Sequence, residues 1–134
     1  MRLWHVDLLP YIPDLQLEAQ WRELNSVFKK QDKHILINYI YDYPKDYLLY
    51  YTALVISEMK RRNLKIKKWD NFKEYFGDMY AQDGEFNEHD DEYLIMNFFN
   101  LKEKYIRGQK DFTPAVYERL HKFIYERFNG TIKL

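Results

Sequence analysis

One stretch decides the fold of this chain: Asp14-Leu-Gln-Leu-Glu-Ala-Gln-Trp-Arg-Glu-Leu-Asn-Ser-Val-Phe-Lys-Lys-Gln-Asp-Lys-His34. Its large apolar residues recur at intervals of three and four, which places them on one face of an α-helix: Leu17, Trp21, Leu24 and Phe28. Asp14 is a favourable N-cap residue. The pattern therefore predicts an amphipathic helix over about residues 15–29.

An arginine and a glutamate are adjacent on this helix. Glu23 lies on the stripe next to the apolar face, so we expect its carboxylate to be partly desolvated. Arg22 flanks the opposite side of the stripe. An isolated pair of this kind is most often a surface ion pair, and its functional interpretation needs support from elsewhere in the sequence.

The rest of the chain also favours helices. Glycine and proline number only four each, which favours long helices over many short strands. Helical spacing predicts further helices over about 44–62, 69–79, 90–106 and 113–128. Pro10 and Pro13 bracket residues 1–13 and predict an arm without helix, whereas residues 34–41 are ambiguous between a strand and a helical turn. The predicted fold is all-α, as a single compact helical domain over residues 1–134.

Composition narrows the cellular setting. The chain has no cysteine, which excludes disulfides and thiolate chemistry and fits a cytoplasmic protein. No apolar run approaches the ~20 residues of a membrane-spanning helix, so we expect no membrane partner.

Charge is segregated along the chain although its formal net charge is zero. Residues 60–68 hold six cations, and residues 83–92 hold six anions. Opposed blocks of this kind create a surface with one phosphate-seeking face. The alternative is a solvated helix end beside an acidic loop.

Other chemistries lack their motifs. His89 lies among Glu88, Asp90 and Asp91, but the spacing matches no metal template, so we expect a solvated histidine and no metal site. The chain has no phosphate-cradling glycine loop and no serine nucleophile motif. We therefore expect no small-molecule cofactor.

Three segments of the chain match a known family without gaps: Arg22-Glu23-Leu24, Val27-Phe28 and Lys33-His34. They resemble the pyrimidine-dimer DNA glycosylase family, whose members are bacteriophage endonuclease V-like. Weaker similarity continues over Tyr47–Ile66, around His89 and at Leu101–Lys104. The start of the chain resembles a bacterial branch of that family. The resemblance implies an all-α fold, here with an extra C-terminal helix.

The resemblance implies a DNA repair glycosylase with associated abasic-site (AP) lyase activity on damaged double-stranded DNA, with pyrimidine dimers among the candidate lesions. In this chemistry an N-terminal amine forms a Schiff base with the sugar, and a carboxylate assists the elimination that cuts the strand, as an endonuclease does. An unperturbed α-amine has a pKa of about 7.7–8.0, so part of it is neutral near pH 7. Aminopeptidases rarely cut before arginine, so Met1 is expected to remain before Arg2 and to supply the amine, with Glu23 as the carboxylate.

The resemblance and the basic block together imply a set of DNA-binding residues: Arg2, Arg22, Lys33, His34, Lys60, Arg61, Arg62 and Lys65. Other family positions differ. Ser26 replaces a family arginine, Gln16 replaces a histidine, and Asp111–Pro114 stands where the family has an aromatic cluster. These differences leave lesion specificity open.

Two other functions remain open on sequence grounds. The chain is alternatively a non-enzymatic DNA-binding module that keeps the fold, or a helical protein that binds another protein through aromatic residues. A buried N-terminus beside Glu23 would favour the enzyme. An exposed N-terminus with an intact basic face would favour the binding module, and a large exposed aromatic patch without a cationic groove would favour the protein partner.

Overall fold

The computed structural model describes residues 1–134 and is entirely helical. It contains no strand, and this confirms the all-α prediction. Two short 3₁₀ helices accompany five α-helices: the 3₁₀ segments are Val6–Tyr11 and Asn38–Asp42, and the α-helices are α1 (Asp14–Lys30), α2 (Lys45–Arg61), α3 (Trp69–Phe76), α4 (Asp91–Ile106) and α5 (Pro114–Arg127).

Helix α1 begins one residue earlier than its local sequence predicts. Pro13 occupies the N-cap position, and Asp14 is the first helical residue rather than the cap. The cap comes instead from a distant part of the chain, because the backbone N–H of Leu15 donates to Oδ2 of Asp111 over 2.8 Å. The helix ends where Gln31 adopts a left-handed conformation with φ of 50°.

The N-terminal arm contains a 3₁₀ helix, so the prediction that its prolines exclude any helix is wrong. Pro10 lies inside Val6–Tyr11. The fixed φ of proline suits 3₁₀ geometry, and a single 3₁₀ turn depends on few backbone N–H groups. The arm is also part of the core, since Leu3, Trp4 and Leu8 are fully or almost fully buried.

The other elements follow their predicted patterns with shifted ends. Helix α3 ends at Phe76, three residues before the predicted end, because Gly77 turns the chain with φ of 57°. Pro44 is the N-cap of α2 rather than a residue of its first turn. The ambiguous segment after α1 contains a turn and then the second 3₁₀ helix. Thr113 caps α5, and its side chain accepts from the N–H of Val116.

The core consists of 26 buried hydrophobic residues in one connected cluster. Helix α1 packs against α2 and α3, α4 packs against α5, and the first 3₁₀ helix contacts α2, α4 and α5. Aromatic rings hold α3 on α1, with Trp21 edge-on to Trp69 and Phe28 in contact with Phe76. This packing encloses the arm and brings the start of the chain to the middle of α1. None of the helices combines the length and the apolar character that crossing a membrane requires.

Candidate active site and basic cleft

The backbone of the N-terminal arm is held by polar side chains from three helices. The hydroxyl of Tyr51 on α2 donates to the carbonyl of Trp4 over 2.6 Å, and Tyr93 on α4 donates to the carbonyl of Leu3. Asn97 on α4 accepts from the N–H of His5. Because these partners come from separate helices, the position of residues 1–5 is fixed by the whole helical assembly.

Gln20 connects this arm to Glu23. Its side chain is completely buried, and its Oε1 accepts from the Trp4 N–H over 2.8 Å. Its Nε2 donates to the Arg2 carbonyl over 3.0 Å and lies 3.3 Å from Oε2 of Glu23. One amide therefore fixes both the second residue of the chain and the carboxylate three residues further along α1.

Glu23 is half-buried beside the start of the chain. Burial raises the pKa of its carboxyl above the ordinary glutamate value. The positive charge of the Met1 amine is the strongest influence in the opposite direction, followed by the backbone of Arg2 and the charge of Lys104. The Met1 amine therefore lies near enough to the Glu23 carboxylate to stabilise its ionised form, in a partly desolvated site.

A basic cleft of about 390 Å³ lies along α1. Six cations line it, against the single carboxylate of Glu18: Arg22, Lys29, Lys30, Lys65, Lys67 and Lys68. Trp21 forms part of its wall and donates from Nε1 to the Lys67 carbonyl over 2.8 Å, which holds the basic segment against α1. A concave surface with this charge suits a phosphate backbone.

The predicted DNA-binding residues divide between this cleft and other surfaces. Arg22 and Lys65 line the cleft, and the Nζ of Lys60 lies 5.8 Å from the ring centre of Trp69, which packs on Trp21. Arg2 lies over the ring of Trp4. Lys33 and His34 are exposed on the turn after α1.

Arg61 and Arg62 face a different hollow, beside Pro10–Asp14. The Arg62 guanidinium donates to the carbonyls of Leu9 and Ile12 and to the carboxylates of Asp14 and Glu58. These bonds connect the end of α2 to the arm and to the start of α1. Arg61 pairs with Glu58. We therefore omit both arginines from the proposed DNA surface, although the sequence places them within the basic block.

His89 is buried, so the expectation of a solvated histidine is wrong. Its ring stacks on Tyr93 with the ring centres 4.8 Å apart, and its Nε2 lies 2.5 Å from the Tyr39 hydroxyl. Burial lowers the pKa of His89 to about 4. The aromatic core between α2 and α4 holds this ring in place, and the acidic residues around it in sequence remain at the surface.

The family model described as pyrimidine dimer DNA glycosylase matches residues 1–71. The chain belongs to the pyrimidine dimer DNA glycosylase family. The match covers the arm, α1, α2 and the beginning of α3, and thus includes Met1, Glu23 and every residue that lines the basic cleft. No curated protein sequence and no solved structure matches the chain.

Membership in the pyrimidine dimer DNA glycosylase family supports a DNA glycosylase-type function in general and DNA as the substrate. Several residues around the site were missed by sequence reasoning. Tyr93 and Asn97 lie on α4, outside the family match, and nothing local marks them, whereas Lys104 ends the Leu101–Lys104 segment of weaker similarity. The sequence marks Gln20 only weakly as a partner of Glu23, because it is a polar residue one helical turn before that glutamate.

Proposed function

We propose that the protein is a DNA repair glycosylase with associated AP lyase activity on damaged double-stranded DNA. Pyrimidine dimers are the first lesion to test, because they are the substrate in the family description. The proposal assigns the nucleophile to the Met1 amine and the general base to Glu23. No metal or cofactor takes part in these steps.

The observation that supports this proposal is the half-buried Glu23 beside the Met1 amine, joined through Gln20. Positive charge develops on the sugar as the base leaves, and a nearby carboxylate stabilises that charge. A carboxyl whose pKa is raised by burial is also a stronger base than an exposed one.

The reaction begins with attack of the amine lone pair on the sugar C1′ of the damaged nucleotide. The C1′–N bond to the base breaks, and the base leaves with the bonding electrons and gains a proton. The C1′–O4′ bond then breaks, O4′ takes its electrons and a proton from the amine nitrogen, and the electron pair left on nitrogen forms the C1′=N bond of a protonated Schiff base. Glu23 accepts a proton from C2′, the C2′–H electrons form the new double bond, and the C3′–O bond to the phosphate breaks. The strand is cut at this step.

The basic cleft has a separate task in this proposal. Arg22 precedes Glu23 in the chain and lines the cleft, so phosphates bound there would follow α1 past the reacting sugar. Phosphate contacts fix the register of a protein on DNA without reading its sequence. This arrangement suits an enzyme that recognises damage.

Borohydride trapping on duplex DNA with an abasic site tests the proposal. Borohydride reduces a C=N bond to a stable amine, so only a protein that forms a Schiff base becomes covalently attached. We expect an adduct with the parent protein and none after the Met1 amine is acetylated. We expect Glu23→Gln to lower the strand-cleavage rate by about 10²–10⁴-fold.

Glu118→Gln is the matched control, because it removes in the same way an exposed carboxylate of α5 that lies outside the candidate site. It should leave trapping and cleavage at the parent rates. If the parent binds DNA but gives neither adduct nor cleavage on abasic or ultraviolet-damaged duplexes, the chain is a non-enzymatic DNA-binding module. An adduct that survives acetylation would assign the nucleophile to a lysine instead.

A further inference from the structure

The turn after α1 presents two adjacent apolar side chains to solvent. Ile35 is 85% exposed and Leu36 is 41% exposed. Lys33 and His34, immediately before them, are also exposed. Single apolar side chains are common on protein surfaces, whereas an apolar pair that directly follows two basic residues is a more specific feature.

This turn is held rigidly. The N–H groups of Ile37 and Asn38 both donate to the His34 carbonyl, and the His34 N–H donates to the side chain of Asn38 over 2.8 Å. The Tyr41 hydroxyl donates to the Asp32 carbonyl, and Ile37 is fully buried in the core. The folded chain therefore holds Ile35 almost fully in solvent and leaves Leu36 partly exposed beside it.

The turn is continuous with the basic cleft. Lys29 and Lys30, in the last turn of α1, line the cleft, and Lys33 follows three residues later. His34 Nδ1 accepts from the Leu36 N–H, which leaves its other ring nitrogen, Nε2, to act as a donor. A phosphate backbone that follows the cleft toward the end of α1 would meet these basic groups and then the apolar pair.

We propose that Ile35 and Leu36 form an apolar wedge that enters the minor groove of duplex DNA and packs against a base step. The occupant is DNA because the flanking groups are cationic and the adjoining cleft suits phosphates, so the inference rests on the proposed function. Proteins that bind the minor groove often insert isoleucine or leucine between base steps and thereby bend the duplex. The wedge would use this bend to expose a damaged nucleotide to Met1 and Glu23.

The absence of cysteine from the chain allows a direct test. Ile35→Cys, labelled with an environment-sensitive dye, places a probe on the wedge alone. Ile106→Cys is the matched control, because Ile106 is also an exposed isoleucine, at 68%, and lies about 200° around α4 from Lys104. On addition of a duplex with an abasic site, we expect a blue-shifted emission at position 35 and an unchanged emission at position 106.

A second variant measures the consequence for DNA shape. Ile35→Ala with Leu36→Ala should reduce bending of an end-labelled duplex, measured by energy transfer, and weaken binding by about tenfold. The salt dependence of binding should match that of the parent, because no charge is removed. Salt-dependent binding with unchanged emission at position 35 and unchanged bending would overturn the wedge and leave the proposed function standing. A parent protein that does not bind duplex DNA would overturn both.

Discussion

At the scale of single residues, Gln20 determines the arrangement of the candidate site. Its amide is hydrogen-bonded to the Trp4 N–H and the Arg2 carbonyl of the arm, to the Tyr51 hydroxyl and to Glu23. The side chain is fully buried. Buried polar groups that lose their partner carry the full cost of desolvation. The geometry between Met1 and Glu23 therefore depends on a side chain with no chemical role of its own.

We expect Gln20→Leu to destabilise the protein by about 3 kcal/mol, because it leaves the Trp4 N–H and the Arg2 carbonyl without their partner. Urea denaturation measures this loss. Gln16→Leu is the control, since Gln16 is a half-buried glutamine of the same helix with no comparable set of bonds. Equal stabilities for the two variants would show that the Gln20 network contributes nothing.

Glu23 gives a prediction for the pH dependence of stability. A carboxyl whose pKa is raised by folding holds its proton more tightly in the folded state, so its ionised form costs stability. This destabilisation is absent at pH values below the ordinary glutamate pKa and complete at pH values above the raised pKa. The free energy of unfolding of Glu23→Gln should therefore increase relative to that of the parent as the pH rises between these two pKa values.

Denaturant titrations at several pH values measure this difference, with Glu118→Gln as the control for loss of one negative charge. A difference between parent and Glu23→Gln that stays constant with pH would show that folding does not perturb Glu23.

At the scale of elements, the N-terminal arm is held by partners at both ends. Tyr51, Tyr93 and Asn97 fix its first five residues, and Arg62 fixes its last turn through the carbonyls of Leu9 and Ile12. A 3₁₀ helix has few hydrogen bonds of its own, so these side chains provide the order that a longer helix would generate internally. The element that carries the candidate nucleophile is therefore among the most heavily bonded parts of the fold.

Arg62→Met tests this role. Without Arg62 the carbonyls of Leu9 and Ile12 lose their donor and Glu58 keeps Arg61 as its one partner, so we expect a cost of about 3 kcal/mol. Arg61→Met is the control at the neighbouring position, because the Arg61 side chain is largely exposed and we expect a much smaller loss of stability. Thermal or urea unfolding measures both, and a similar cost for the two variants would contradict the structural role given to Arg62.

At the scale of the whole molecule, folding sorts the basic block between two surfaces. Lys65, Lys67 and Lys68 line the cleft beside α1, whereas Arg61 and Arg62 face the hollow next to the arm. The six anions of residues 83–92 remain exposed on the segment before α4 and on its first turn. A neutral chain thus presents one concentrated positive surface, which suits DNA better than its net charge indicates.

The salt dependence of DNA binding tests this division. Arg22→Ala and Lys65→Ala should each reduce the slope of log K against log salt concentration by about one unit, because each removes one phosphate contact. Arg61→Gln should leave the slope unchanged. The measurement is fluorescence anisotropy on an undamaged duplex at several salt concentrations, and a slope that responds equally to all three variants would mean that the cleft is not the DNA surface.

The sequence alone determined the helices and the family. Apolar spacing located all five α-helices to within a few residues, and the Arg22-Glu23-Leu24 segment indicated the family that the match over residues 1–71 establishes. These features are local, because helical periodicity and a short motif are both contained in neighbouring residues. The single-domain organisation stays a prediction, supported by the one connected core.

Only the tertiary structure decided the environment of the site. Asp111 caps α1 from 96 residues away, and Asn97 holds His5 across 92 residues. Arg62 bonds to the arm, although Lys65, Lys67 and Lys68 of the same basic block line the cleft. Burial made His89 a core residue and raised the pKa of Glu23. Periodicity shows which face of a helix is covered, but the partner of each polar group depends on which helices meet, and that is settled only when the core packs.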